Sequence, residues 1–158
     1  MLRFPFSLFL AMIAALPAQA GLRVFTCEPE WQALVQELGG DAVEAFSATT
    51  AMQDPHRIDA RPSLIAKLRR ADLAVCTGAG LEAGWLPQLL RASGNGKVQP
   101  GQPGYFEAAT VVTLLDVPAS VDRAQGDVHP EGNPHLHLDP RNVLAVAPAL
   151  GARLRELD

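Results

Sequence analysis

The chain is 158 residues long, 48% hydrophobic and 19% charged, with a net charge of −4. That length supplies one hydrophobic core but not two. A weakly acidic balance without a basic cluster argues against nucleic acid and against an anionic membrane surface as partners.

In chain order, the first segment reads as a targeting signal. Arg3 precedes an apolar run from Phe4 to Leu16, and Ala18-Gln19-Ala20 places small residues where a signal peptidase reads. The run is shorter than the roughly 20 residues that span a bilayer, and Pro17 interrupts it. Residues 1–20 are therefore expected to be a cleaved secretory signal peptide. No cysteine follows the site to carry a lipid, so the mature chain is expected to be soluble outside the cytoplasm.

Leu22 to Thr26 reads as a short buried strand. Pro29 opens a helix to Leu38, with Trp31, Leu34, Val35 and Leu38 at helical spacing and Gly39-Gly40 as the stop. Ala42 to Ala48 is a second strand, and Thr49 to Asp59 a polar loop. Pro62 starts a helix to about Arg70, Leu73 to Cys76 is a third strand, and Gly78 and Gly80 mark a turn before a helix over Glu82 to Arg91. Ser93 to Gly104 reads as a surface loop and Val111 to Val117 as the fourth strand. Pro118 to Asn133 is a long polar loop, and a last helix runs from Pro140 toward Asp158. This alternation predicts an α/β fold, a parallel doubly wound sheet of about four strands with helices on both faces. Ligands of such sheets collect at the loops beyond the carboxyl ends of the strands.

The four histidines, His56, His129, His135 and His137, all lie in loops that follow predicted strands two and four. In a parallel sheet those loops leave at one edge, so imidazoles far apart in sequence can converge. Neutral imidazole is the commonest protein ligand for zinc. The plain alternative is four surface histidines in two loops. Two local contexts favour the first reading, Asp54-Pro55-His56 and Asn133-Pro134-His135. In both, a proline fixes the backbone directly before a histidine and lowers the entropy lost in presenting it. If the second segment is extended, His135 and His137 point to the same face.

Cys27 and Cys76 end strands one and three, which are neighbours in a 2-1-3 sheet. A disulfide is geometrically open to them, and so is the alternative of two buried free thiols. Gly78, Gly80 and Glu82 lack the Lys-Ser/Thr of a phosphate loop, and the glycines are read as shaping a turn. A zinc-dependent hydrolase would need a general base at the metal, for which Asp54, Glu131 and Asp139 are nominal candidates. No His-Glu-x-x-His pattern is present, and that reading is the weaker one.

The segment DPHRIDARPSLIAKLRRADLAVCTGAGLEAGWLPQLL resembles the N-terminal lobe of the periplasmic zinc and manganese solute-binding proteins of ABC importers. That family shows a Pro-His after strand two, a Pro-Ser-opened helix, an Ala-Asp-Leu strand and a Gly-x-Gly-Leu-Glu turn. NPHLHLDPRN is similar to its second ligand motif, and the resemblance runs from Leu22 to Asp158. It implies metal ligands at His56 and His135. His137 stands where the family more often has an aromatic residue, which implies a packing or supporting role, with accessory ligation as the alternative. His129, with Asp127 and Glu131, lies where zinc-specific members carry a histidine-rich insert. It is expected to be solvated loop, with assistance to capture as the alternative.

Residues 21–142 are accordingly expected to form a metal-binding lobe, and residues 143–158 to begin the helix toward a second lobe that brings the remaining ligands. The chain is expected to be a fragment without that lobe. Thiolate ligation by the cysteines is not expected, since the family does not use it. The implied function is capture of Zn2+, alternatively Mn2+, in the periplasm by a monomer, and delivery to an ABC importer permease in the inner membrane, with no catalysis. An adhesin role is a third reading that no residue supports directly.

Overall fold

Strand β1, Leu22–Thr26, divides the core by the alternation of its side chains. Val24 faces one layer together with Leu73 and Val75 of β3 (Leu73–Cys76), whereas Phe25, Ala74 and Cys76 face the other. The computed structural model describes residues 21–122, 124 and 128–158. The expected signal peptide and Asp127 lie outside the described residues.

Strands β2 (Val43–Ser47) and β4 (Tyr105–Glu107) complete a sheet of order β2-β1-β3-β4, and every pairing in it is parallel. Helices α1 (Pro29–Gly39) and α4 (Pro140–Leu157) cover one face through Trp31, Val35, Val146, Leu150 and Leu154. Helices α2 (Pro62–Arg69) and α3 (Leu86–Ser93) cover the other through Leu64, Leu68, Leu86, Leu89 and Leu90. The doubly wound parallel α/β fold expected from the sequence is the fold observed. A proline within the first two positions opens each of these helices, where its missing N–H has no partner to lose. No helix among the described residues is long and apolar enough to cross a membrane.

The fourth strand is not where the sequence placed it. Val111 to Val117 was the apolar β-branched candidate, yet β4 lies earlier and pairs Val75 with Phe106 and Cys76 with Glu107. The reason is burial. Phe106 and Ala108 enter the core, whereas Leu115 and Val117 stay 67% and 63% exposed. Gly104 permits the entry, since a Cβ there would come within 2.7 Å of the Asp72 carbonyl oxygen. The segment 93–104 is not all surface either: a short 3₁₀ turn at Gly96–Val98 buries Val98. The third helix begins at Leu86 rather than Glu82, because residues 77–82 form a tight turn in which Gly78 and Gly80 both have φ of 80°.

Cys27 and Cys76, at the carboxyl ends of adjacent strands on the α2/α3 side, are joined by a disulfide with a Cα–Cα distance of 4.8 Å. The bridge closes a loop with a sequence separation of 49 residues. Loop-closure entropy then gives it about 4 kcal/mol of stabilisation. Urea unfolding of the Cys27→Ala/Cys76→Ala variant should show a loss of about that size. An unchanged midpoint would mean that the bridge does not restrain the unfolded chain.

Candidate metal centre

Each proline-borne histidine is held by the residue two places before it. Asp54 Oδ1 accepts the His56 backbone N–H at 3.0 Å and lies 2.9 Å from His56 Nδ1. Asn133 Oδ1 does the same for His135, at 3.0 Å to both its backbone N and its Nδ1. Asn133 Nδ2 donates to Asp116 Oδ2 at 3.3 Å, which turns its oxygen toward the ring. Such Asx turns are a local property of the Asx-Pro-His sequence. Their chemical result is common to both sites: Nδ1 faces an acceptor and carries the proton, leaving the Nε2 lone pair for a metal.

The His56 loop sits on the turn that precedes α3. Trp85 Nε1 donates to the Pro55 carbonyl at 2.8 Å, and a Cβ at Gly84 would come within 2.9 Å of the His56 carbonyl oxygen. His56 and His135 thereby meet at the carboxyl edge of the sheet, with ring centroids 5.6 Å apart. They share an open cleft of about 440 Å³ with Asp116, Pro118, Val128 and His129. The partners of Asp54 hold its carboxyl below the usual range, the His56 backbone N–H first. Burial, and then the charges of His56 and His137, hold the His135 imidazole below its ordinary value, which favours the neutral ligand form.

His129 departs from the expectation of a solvated loop. Its Nε2 lies 3.1 Å from His56 Nε2, and its ring centroid is 5.1 Å from that of His56 and 6.4 Å from that of His135. Its ring lies beside Gly80, where an added Cβ would stand in ordinary contact 3.4 Å from His129 Nδ1. His137 goes elsewhere. Residues Leu136–Leu138 form a 3₁₀ turn rather than an extended segment, so His135 and His137 do not share a face. The ring centroids are 6.5 Å apart, and His137 Nδ1 lies 3.1 Å from Glu30 Oε1 in the first turn of α1.

Below the cleft lies a polar cluster that the sequence did not announce. Glu82 accepts the backbone N–H groups of Thr77 at 2.7 Å and Gly78 at 3.1 Å, and so fixes the turn that carries Gly80, Gly84 and Trp85. Trp31 Nε1 donates to Thr77 Oγ1 at 2.7 Å, and Thr77 Oγ1 donates to Glu28 Oε2 at 3.0 Å. Both carboxyl groups are buried. Glu28 Oε1 has no hydrogen-bond partner among the described residues. Burial, followed by the neighbouring Glu82, pushes Glu28 up to about 10. Burial also raises Glu82, against the pull of the groups bonded to it. The paired N–H donors make Glu82 the better seat for the single negative charge, and Glu28 the holder of the proton. Sequence signals existed: Glu28 follows a strand at the ligand edge and Glu82 sits in a glycine turn, but neither position reveals burial.

Among the described residues, Cys27, Cys76 and Glu82 are the group whose donor atoms lie closest, all within 4.8 Å of one another. The two sulfurs are spent in the disulfide, which leaves no thiolate to bind a metal.

The sequence profile of the family described as ZnuA, zinc-uptake complex component A periplasmic, matches residues 24–158. The high-affinity zinc uptake system protein ZnuA of Paracoccus denitrificans is 36% identical over 120 residues, 73% of this chain and 33% of that protein. The manganese ABC transporter substrate-binding lipoprotein PsaA of Streptococcus pneumoniae is 27% identical over 111 residues, covering 68% of this chain and 34% of that one. Among solved structures, a ZnuA deletion mutant with zinc bound superposes with a TM-score of 0.70 at 26% identity, over 88% of this chain and 48% of that one. The chain thus spans about a third of the length of these curated relatives and about half of that structure.

Glu28 makes the foundation of the cleft sensitive to pH. The folded state keeps a proton that the unfolded chain releases near 4.5, up to about 10. The native state therefore binds more protons in that window, and stability falls as pH rises through it. Thermal melts should drop between about pH 5 and about pH 9, and Glu28→Gln should flatten the decline. Parallel profiles for the two proteins would place the Glu28 proton elsewhere.

Proposed function

We propose that this chain, which belongs to the ZnuA family of periplasmic zinc-uptake components, captures a divalent transition metal outside the cytoplasm and passes it to the permease of an ABC importer. His56 and His135 are the ligands in this reading, and Zn2+ is the cargo. The observation that carries it is the meeting of two Asx-Pro-His segments, far apart in sequence, with ring centroids 5.6 Å apart and both Nδ1 atoms engaged. Capture then consists of donating two neutral Nε2 lone pairs to the ion. No covalent bond is made or broken.

Imidazole favours zinc over manganese, whose preference lies with carboxylate and carbonyl oxygen. Asp54 is turned to His56 and Asp139 is engaged by Arg141 at 2.8 Å. These commitments support zinc over Mn2+. They also weigh against Asp54 and Asp139 as the free carboxylate with which a zinc-dependent hydrolase would activate water.

The wider reading follows the same line. Residues 1–20 direct export, residues 21–142 form the metal-binding lobe, and residues 143–158 begin the helix toward a second lobe that supplies further ligands. Each chain acts as a monomer. Calorimetric titration of Zn2+ tests the core of the proposal. The chain should bind saturably, and His56→Ala/His135→Ala should weaken binding about 100-fold or more. Undiminished affinity in that variant would remove both histidines from the site.

A further inference from the structure

We infer that His129 is a third metal ligand from this same lobe, so that a captured zinc ion is held by three imidazoles with one position open. The inference rests on the proposed capture at His56 and His135 and adds to its ligand set. Zinc–nitrogen bonds of about 2.0–2.1 Å in a tetrahedral site place neighbouring ligand nitrogens about 3.3 Å apart. The Nε2 atoms of His56 and His129 stand 3.1 Å apart. Two ring nitrogens facing each other at that distance share one proton; when a metal ion takes both lone pairs, that proton passes to Nδ1 of His129, so that both rings stay neutral.

The position of His129 is built. Its ring packs beside Gly80, in the turn that Glu82 fixes through the Thr77 and Gly78 N–H groups. The backbone turns back directly after it: Gly132 N–H donates to the His129 carbonyl at 3.1 Å, with Gly132 at φ 120°. Asn133 N–H then donates to the Leu115 carbonyl at 2.7 Å, and the next residues present His135. One short closed turn therefore delivers two of the three imidazoles. His135 is the exposed member of the group; its ring centroid stands 5.6 Å from that of His56 and 6.4 Å from that of His129, and its Nε2 completes the triad with Nδ1 still held by Asn133. His137 does not join it, because it faces Glu30.

The consequence is selectivity. Three neutral imidazoles with an open fourth position suit zinc and serve manganese poorly. On this account His129 discriminates between the two metals, and the discrimination is made before any ligand arrives from elsewhere.

The full chain would be titrated with ZnCl2 and with MnCl2, beside His129→Ala, His137→Ala and His56→Ala/His135→Ala, with thermal melts to establish that each variant folds. His129→Ala should weaken zinc about tenfold or more while moving manganese by about twofold or less. His137→Ala should leave both metals unchanged. X-ray absorption of the zinc-loaded protein should count three imidazoles in the wild type and two in His129→Ala. Zinc affinity and imidazole count unchanged in His129→Ala, with binding lost in the double variant, would overturn the inference and leave the proposed capture standing. Binding unchanged in the double variant would overturn the capture itself. Equal losses of zinc and manganese in His129→Ala would overturn the selectivity.

Discussion

All four strands run in the same direction, so every loop that follows a strand must leave the sheet at one edge. Order reverses between β1 and β3, the place where loops diverge and leave a crevice. The histidine loops after β2 and β4, the Glu28 that follows β1 and the turn after β3 are brought together by that single constraint. None of these contacts is local in sequence. What the chain adds is a set of ties that hold the edge rigid. The disulfide joins β1 to β3, Glu82 clamps the turn beyond β3, and Trp85 reaches from that turn to the Pro55 carbonyl. His56 is thus connected to the core through a short series of bonds that are all buried or nearly so.

The two Asx-Pro-His segments use one device. Proline removes backbone freedom before the histidine, and the Asx oxygen takes both the backbone N–H and the ring Nδ1–H. Ordering of the ring is therefore completed on folding, and less entropy is lost when a ligand arrives. The copies differ in charge. Asp54 gives His56 an anionic partner, whereas Asn133 gives His135 a neutral one. Burial first, and then His56 and His137, lower the proton affinity of His135.

Legibility in the sequence followed local physics. Strands β1 and β3 are continuous apolar runs bounded by turn residues, and proline marks the start of α1, α2 and α4, so these elements could be read directly, whereas the start of α3 at Leu86 was hidden by the glycine turn before it. The fourth strand could not. Tyr105-Phe106-Glu107 is too short to show a pattern, and the stronger β-branched run at 111–117 stays largely at the surface. Only the cross-sheet pairing of Phe106 with Val75 decides between them. His56 and His135 were legible because proline and Asx stand beside them. His129 carries no such mark. Its place depends on its contact with His56, far from it in sequence. The buried pair of Glu28 and Glu82 was hidden for the same reason, since a carboxylate in a turn reads as solvated until its donors are seen.

The central claim is that a metal ion sits between the two Asx-Pro-His segments, bound through Nε2. Crystals of the chain grown with zinc, with diffraction measured across the zinc absorption edge, test this most directly. The account predicts an anomalous peak in the cleft at about 2.0–2.1 Å from Nε2 of both His56 and His135, with Asp54 and Asn133 still on the Nδ1 atoms. A peak bound instead between His137 and Glu30, or a cleft without one in crystals that bind zinc elsewhere, would contradict it.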